Sequence, residues 1–247
     1  MDLSPLTCTA EQLYTIVSGH NRSWLLLSLS NPAMNEDHVV ALLRNPIITA
    51  EIIQNVYDHF EWASSLKVQC AIVNCPKCPF GLAMRLLPNL FWNDLLKTIL
   101  NYRITPRLRR VAENYLKEKI ENLTLGEKIN LARQAPRPVI PMLRSVTQKQ
   151  IVAALLQNPH VVEEDIFWIL NSDNTTAEVL EAIAISSRWA GRYSIQLALV
   201  QNTRTPLRIS LRFLSKLKKQ DLNALSKAPQ TPELLRRAAD RILSGKY

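Results

Sequence analysis

Apolar residues along this chain recur at steps of three and four. Leu108, Val111, Ala112, Tyr115 and Leu116 fall on one side of a helix, as do Leu207, Ser210, Leu211, Leu214 and Leu217. No segment keeps the strict alternation of a half-buried strand for long. Short breaks separate the periodic runs: Asn31-Pro32, Asn45-Pro46, Asn74-Cys75-Pro76 and Thr105-Pro106, then Asn158-Pro159, Ser172-Asp173, Asn202 to Pro206 and Thr231-Pro232. Each break is read as a helix start. In Thr105-Pro106, Thr205-Pro206 and Thr231-Pro232 the hydroxyl can accept from an orphan amide, and proline suits the first helical position because its missing N–H is not needed there. Asp94 and Asp221, just before Leu95 and Leu222, are read as caps of the same kind. The expected elements are helices of about ten to fifteen residues whose apolar sides must be buried on their neighbours.

The pattern occurs twice. Residues 31–116 match residues 158–243 at a displacement of 127, apart from a slip of one residue. Asn31-Pro32 pairs with Asn158-Pro159, Thr49-Ala50-Glu51 with Thr176-Ala177-Glu178, Trp62-Ala63 with Trp189-Ala190, and Leu108-Arg109-Arg110 with Leu235-Arg236-Arg237. Self-similarity at a fixed displacement is the mark of a repeat protein. The predicted fold is all-α: an α-solenoid of two tandem halves, residues 1–121 and 122–247, forming one continuous body. Residues 117–150 stay apolar at Ile129, Leu131, Ile140 and Leu143, which argues against a flexible linker; Leu123-Thr124 there echoes Leu6-Thr7.

Composition agrees with this reading. Of 247 residues 47% are hydrophobic and only 5 are glycine, the residue that costs a helix interior roughly 1 kcal/mol relative to alanine. The 14 prolines then serve as punctuation. The longest apolar stretch, Trp24 to Leu29, is far short of the roughly 20 residues needed to span a bilayer, and Met1-Asp2-Leu3-Ser4 does not open like a secretory signal. With 4 cysteines in no disulfide-like framework, a cytoplasmic protein without membrane partners is expected. The net charge of +9 is uneven: −2 over residues 1–100, +7 over 101–157 and +4 over 158–247. Such a basic excess points toward acidic partners, nucleic acid among them.

The Asn-Pro-x-x-Thr starts that run into Leu/Ile-rich helices, as from Asn158 through Leu170 and from Asn202 through Leu214, resemble those of bacterial HEAT-like proteins of the leucine-rich repeat variant type. The resemblance implies a right-handed superhelix of short helices acting as an interaction scaffold. It carries no catalytic residue across.

Candidate chemistry is sparse. Cys70, Cys75 and Cys78 form a C-x4-C-x2-C run in which a thiol beside Lys77 could have a lowered pKa, with His59 as a fourth metal ligand. The residues 127 positions on are Leu197, Asn202 and Thr205, ordinary core and turn residues, so structural cysteines are expected and no cofactor is assigned. Arg208, Arg212, Lys216 and Lys219 recur at helical spacing as a basic stripe; of their counterparts Gly81, Arg85, Asn89 and Trp92, one is charged. Arg109, Arg110, Arg236 and Arg237 stand in both halves. With Arg85 and the stripe they are the candidate partner-binding residues. Trp62 and Trp189 are assigned to packing between repeats. His20, His38, His59 and His160 show no ligand or nucleophile spacing, and no phosphate loop, nucleophile elbow or HExxH is present. The favoured function is a non-enzymatic scaffold that binds a protein on its concave surface. The alternative is a basic nucleic-acid-binding protein resembling the HEAT-like alkylpurine DNA glycosylases, in which Asp94, Asp221, Trp92 and Trp168 would supply the carboxylate and the aromatics.

Overall fold

The structure is a computed structural model that describes residues 4–144 and 148–245. Every regular element among them is helical. Two compact units divide the chain, Met1–Asn122 and Leu123–Tyr247. The first contains α1 (Ala10–Val17), α2 (Arg22–Ser28), α3 (Glu36–Leu43), α4 (Ala50–Asp58), α5 (Phe60–Ala63), α6 (Leu66–Val73), α7 (Phe80–Leu86), α8 (Trp92–Leu100) and α9 (Pro106–Asn122), with a 3-10 turn at Leu87–Asn89. The second contains α10 (Leu125–Gln134), α11 (Ile140–Leu143), α12 (Lys149–Gln157), α13 (Glu163–Leu170), α14 (Ala177–Ile185), α15 (Tyr193–Gln201), α16 (Leu207–Leu214), α17 (Lys219–Lys227) and α18 (Glu233–Leu243). No described helix is long and apolar enough to cross a membrane.

Helix starts in the two units keep the displacement seen in the sequence. Arg22 and Lys149, Glu36 and Glu163, Ala50 and Ala177, Leu66 and Tyr193, Phe80 and Leu207, Trp92 and Lys219, and Pro106 and Glu233 are first residues of their helices, and each pair differs by 127. Packing follows the same order. α3 lies on α6 as α13 lies on α15, α7 on α9 as α16 on α18, and α8 on α9 as α17 on α18. The buried residues of α9, Leu108, Ala112, Leu116 and Ile120, stand at strict steps of four, and Leu235 and Ala239 of α18 repeat the first two. A fully buried leucine such as Leu116 stabilises its unit by about 2 kcal/mol through lost apolar exposure alone.

The helix starts are made differently from the sequence expectation. Caps come from Asn21, Asn35, Thr49 and Ser65 in the first unit and from Thr124 and Thr176 in the second, each accepting a main-chain N–H of the first turn. Thr105 behaves as expected: α9 begins at Pro106, and the Leu108 N–H reaches the hydroxyl at 3.4 Å. Thr205 and Thr231 do not cap. There the proline itself takes the position before the helix, which begins one residue later and leaves the threonine outside it. Asp94 and Asp221 also are not caps; they sit in the first turn of α8 and α17, where a carboxylate favours the positive end of the helix.

The Asn-containing breaks mark a joint between turns. Asn31 lies four residues before the cap Asn35, and Asn45 four before Thr49. In each case the side-chain carbonyl accepts from the amide two residues on, at 2.8 Å from Ala33 and 3.0 Å from Ile47. The side-chain amide then reaches back to an earlier turn: Asn31 donates to Pro5 O at 2.9 Å, and Asn45 to Val17 O at 2.7 Å and Gly19 O at 2.8 Å. Asn158 repeats the arrangement with Ala132 O and Ala135 O, both at 2.9 Å, and Asn202 with Leu170 O at 2.7 Å. Asn101 does so with Asn74 O at 2.9 Å. Apart from Pro5 O, which lies in a turn before α1, these carbonyls lie at helix ends where no intrahelical donor remains, so one amide satisfies groups that burial would otherwise leave unpaired.

Candidate functional site

The α3–α6–α8 row of the first unit forms a cleft of about 1010 Å³. Each helix contributes one face at steps of three or four: Val40 and Arg44 from α3; Lys67, Cys70, Ala71 and then Asn74 from α6; Asp94, Lys97 and then Asn101 from α8. The row is fixed by polar joints. Asn74 donates to Thr98 Oγ1 at 3.1 Å, Asn101 to Asn74 O, and Lys77 Nζ to Pro46 O at 2.9 Å. Val40, Leu43, Ile48, Leu66 and Ala71 supply apolar lining, and no aromatic side chain lines the cleft.

Charge is one-sided there. Arg44, Lys67, Lys77, Lys97 and Arg103 face a single acid, Asp94. Lys67 pairs with Asp37, and Lys97 with Asp94 at 2.7 Å. The hydrogen bond from Lys67 holds the Asp37 carboxyl below its usual range, and the bond to Asp94 raises the Lys97 ammonium. Arg44 and Arg103 form no ion pair among the described residues.

The second unit has its own shallower groove, about 470 Å³, beside α13 and α15. Phe167, Asn171, Asp173, Ala198, Gln201 and Arg204 line it, standing 127 residues after Val40, Arg44, Pro46, Ala71, Asn74 and Lys77. Arg204 donates to Ser172 O at 3.1 Å and to Asp173 O, as Lys77 does to Pro46 O. This groove has one cation and one acid.

The cysteines do not behave as a lowered-pKa cluster. Burial, with help from the Asp94 charge, pushes the Cys70 thiol up to about 11. Burial raises Cys75 and, together with Cys75 itself, pushes Cys78 up to about 12. Lys77 beside Cys75 does not offset the loss of water. His59 stacks on Trp62 with ring centroids 4.0 Å apart, and no described group of His, Cys, Asp and Glu has a metal-holding arrangement. Trp62 and Trp189 are both buried, and the Trp189 indole N–H donates to Leu156 O at 2.9 Å.

None of the nine cationic candidates named from the sequence lines the cleft. The Arg208–Lys219 stripe is interrupted: α16 ends at Leu214, Lys216 lies in the following turn and Lys219 opens α17. Arg208 pairs with Glu181, and Arg212 donates to Ala184 O at 2.5 Å. These two meet Lys149 around a hollow of about 230 Å³ beside Ile185. Arg85 and Arg110 are exposed, Arg109 lies 4.9 Å from the Tyr102 ring, and Arg237 pairs with Glu233. The Nε atoms of Arg109 and Arg236 are buried without a hydrogen-bond partner. None of the five cleft cations was named as a binding residue. They lie singly on elements far apart in sequence, so no sequence window gathers them; the signal available was the comparison of each with the residue 127 positions on.

The carboxylates considered for catalysis have other partners. Asp94 holds Lys97, and Asp221 accepts from the Tyr193 hydroxyl. Trp92 is buried, whereas Trp168 is 58% exposed with Arg144 lying 5.5 Å from its ring centroid. The most deeply buried carboxylate is Asp165, with no exposure. It accepts from Arg137 at 2.5 Å, from Arg144 at 2.6 and 3.1 Å and from the Val162 N–H at 2.9 Å. Burial alone would raise its pKa, but the Val162 N–H and the two guanidiniums outweigh it and hold the carboxyl below its usual range. At the position 127 earlier stands His38, whose Nδ1 accepts from the Asn35 N–H at 3.2 Å, so both residues fasten the first turn of their helix. No protein-family model, no curated protein and no solved structure matches this chain.

Proposed function

We propose that the chain is a non-enzymatic α-solenoid of the HEAT-like type, built from two tandem copies of one helical block, and that it is a scaffold binding a protein partner. The constant displacement of seven helix starts and the repeated packing order support the repeat construction. The observation that carries the binding role is the cleft across α3, α6 and α8, open over three helices and lined by apolar side chains between cations. Repeat proteins bind along such surfaces because each repeat adds one more strip of them. A protein partner is favoured over nucleic acid because single strands are held by aromatic platforms, which the cleft lacks.

Selection from a displayed random-peptide library tests this reading. Binders should enrich, and Ala71→Trp, which fills the cleft from α6, should abolish their binding while circular dichroism stays unchanged. Lys67→Asp on the same face should weaken it too. Failure to enrich any peptide, or peptides that bind Ala71→Trp and the parent protein alike, would refute the proposal.

A further inference from the structure

Four of the five cations of the cleft are not accounted for by the architecture that positions them. Three of the five form a row. Arg44 is the C-cap of α3, Lys77 follows α6 and Arg103 follows α8, and the turns that carry them are joined through Lys77–Pro46 and Asn101–Asn74. Cations near helix C-termini interact favourably with the helix dipole, and that is the bland explanation. It predicts cations at the same helix ends of the second unit. The residues 127 positions after Arg44, Lys67, Lys77, Lys97 and Arg103 are Asn171, Ser194, Arg204, Ala224 and Gln230, so only Lys77 has a charged counterpart. Lys77 is also the cation whose hydrogen bond the second unit reproduces, through Arg204. The other four belong to the first cleft alone. They stand within residues 1–103, where acids otherwise equal or outnumber bases.

We infer that the cleft takes an extended acidic peptide, with carboxylates at about every third residue over the Arg44–Lys77–Arg103 row and small apolar side chains against Val40, Leu66 and Ala71. The spacing follows from the helices. Packed helices lie roughly 8–10 Å apart, and one turn of extended polyproline-type chain, three residues, advances about 9.3 Å and returns to the same face. One carboxylate per helix is therefore in register. Arg44 and Arg103, having no ion pair among the described residues, meet the ligand without first losing a described partner. Charge complementarity over such a patch sets partner choice and association rate.

This inference rests on the scaffold reading and is tested apart from it. Fluorescence anisotropy would compare a labelled peptide with Glu at every third position, its Gln-for-Glu counterpart and an oligothymidylate of equal length. The Glu peptide should bind, weakening as salt rises, and the Gln counterpart should bind at least about tenfold more weakly. Arg44→Glu with Arg103→Glu, both at exposed positions, should lower affinity for the Glu peptide by a similar factor; the charge-matched Lys117→Glu with Lys227→Glu, neither of which lines the cleft, should leave it unchanged. Equal binding of the Glu and Gln peptides, or no effect of the Arg44/Arg103 change, overturns the acidic assignment. Tighter binding of the oligothymidylate also overturns it, in favour of a nucleic acid. If Ala71→Trp-sensitive library peptides prove neutral, the acidic assignment fails and the scaffold reading stands; if no peptide depends on Ala71, both fail.

Discussion

Replacing Asp165 by Asn keeps the shape of the side chain and removes its charge, which isolates what the Arg137–Asp165–Arg144 group contributes. Asp165 has no exposure, and its partners differ: the Arg144 side chain is 15% exposed and that of Arg137 is 44% exposed. Removing one member of a buried ion pair costs about 3–5 kcal/mol because the other charge is left uncompensated. Arg137 can rehydrate, Arg144 largely cannot, and Asn can still accept from the Val162 N–H, so the lower end applies, about 3 kcal/mol. Urea unfolding of the second unit, followed by hydrogen exchange in α11 and α13, would register this as a fall in midpoint at unchanged slope. The pH dependence supplies the sign. Because the carboxyl is held below its usual range in the folded chain, its contribution is fully present above about pH 4 and is lost as pH falls through the lower folded value. Asp165→Asn should therefore be less stable than the parent at neutral pH, with the gap closing in acid. A loss under about 1 kcal/mol, or a gap that does not depend on pH, would refute the reasoning.

Three further outcomes follow from the same geometry. Asn158→Ala should destabilise the second unit by about 2–3 kcal/mol in denaturant titration, because the Ala132 and Ala135 carbonyls and the His160 amide all lose a buried partner; a cost below about half that would mean water replaces the side chain. Cys70 and Cys78 should react with iodoacetamide at pH 7 roughly a hundredfold or more slowly than an ordinary exposed thiol, since their pKa values of about 11 and 12 leave little thiolate. Mass spectrometry of timed samples would show the rate rising with pH, and rapid labelling at pH 7 would contradict the burial. Thr49→Ala and Thr176→Ala should each cost about 1 kcal/mol as lost helix caps, in thermal or urea unfolding.

Helices and their core faces could be read from the sequence because they depend on local spacing: Leu108, Ala112 and Leu116 follow each other on one helix, and Leu235 repeats the first at the same displacement. The asparagines were a harder case. Asn31 and Asn158 recur at a fixed displacement, and their recurrence was visible, but their bonds run 23–26 residues back to carbonyls that only the folded chain brings near. Reading them as helix starts placed them beside the helices and assigned them no partners. Thr205 shows the limit of a cap assigned by residue type, since the shift of a single position gives the cap place to Pro206. The cleft escaped for a geometric reason. Arg44, Lys67 and Lys97 are 23 and 30 positions apart, whereas Arg208, Arg212, Lys216 and Lys219 drew attention by lying close together, although the chain turns between the second and third of them.

The asparagine joints bear on how the chain acquires its structure. Each ties a bend to one formed only a few tens of residues earlier, and closing so short a span costs little entropy, which rises only by about 0.6 kcal/mol for every doubling of length. Assembly dominated by such nearby closures is fast and can begin at several places. It also confines injury: a lesion at Asn45 loosens the bend carrying Val17 and Gly19, yet leaves the knot between Asn101 and Asn74 tied, so fraying would spread stepwise along each unit instead of taking it apart at once.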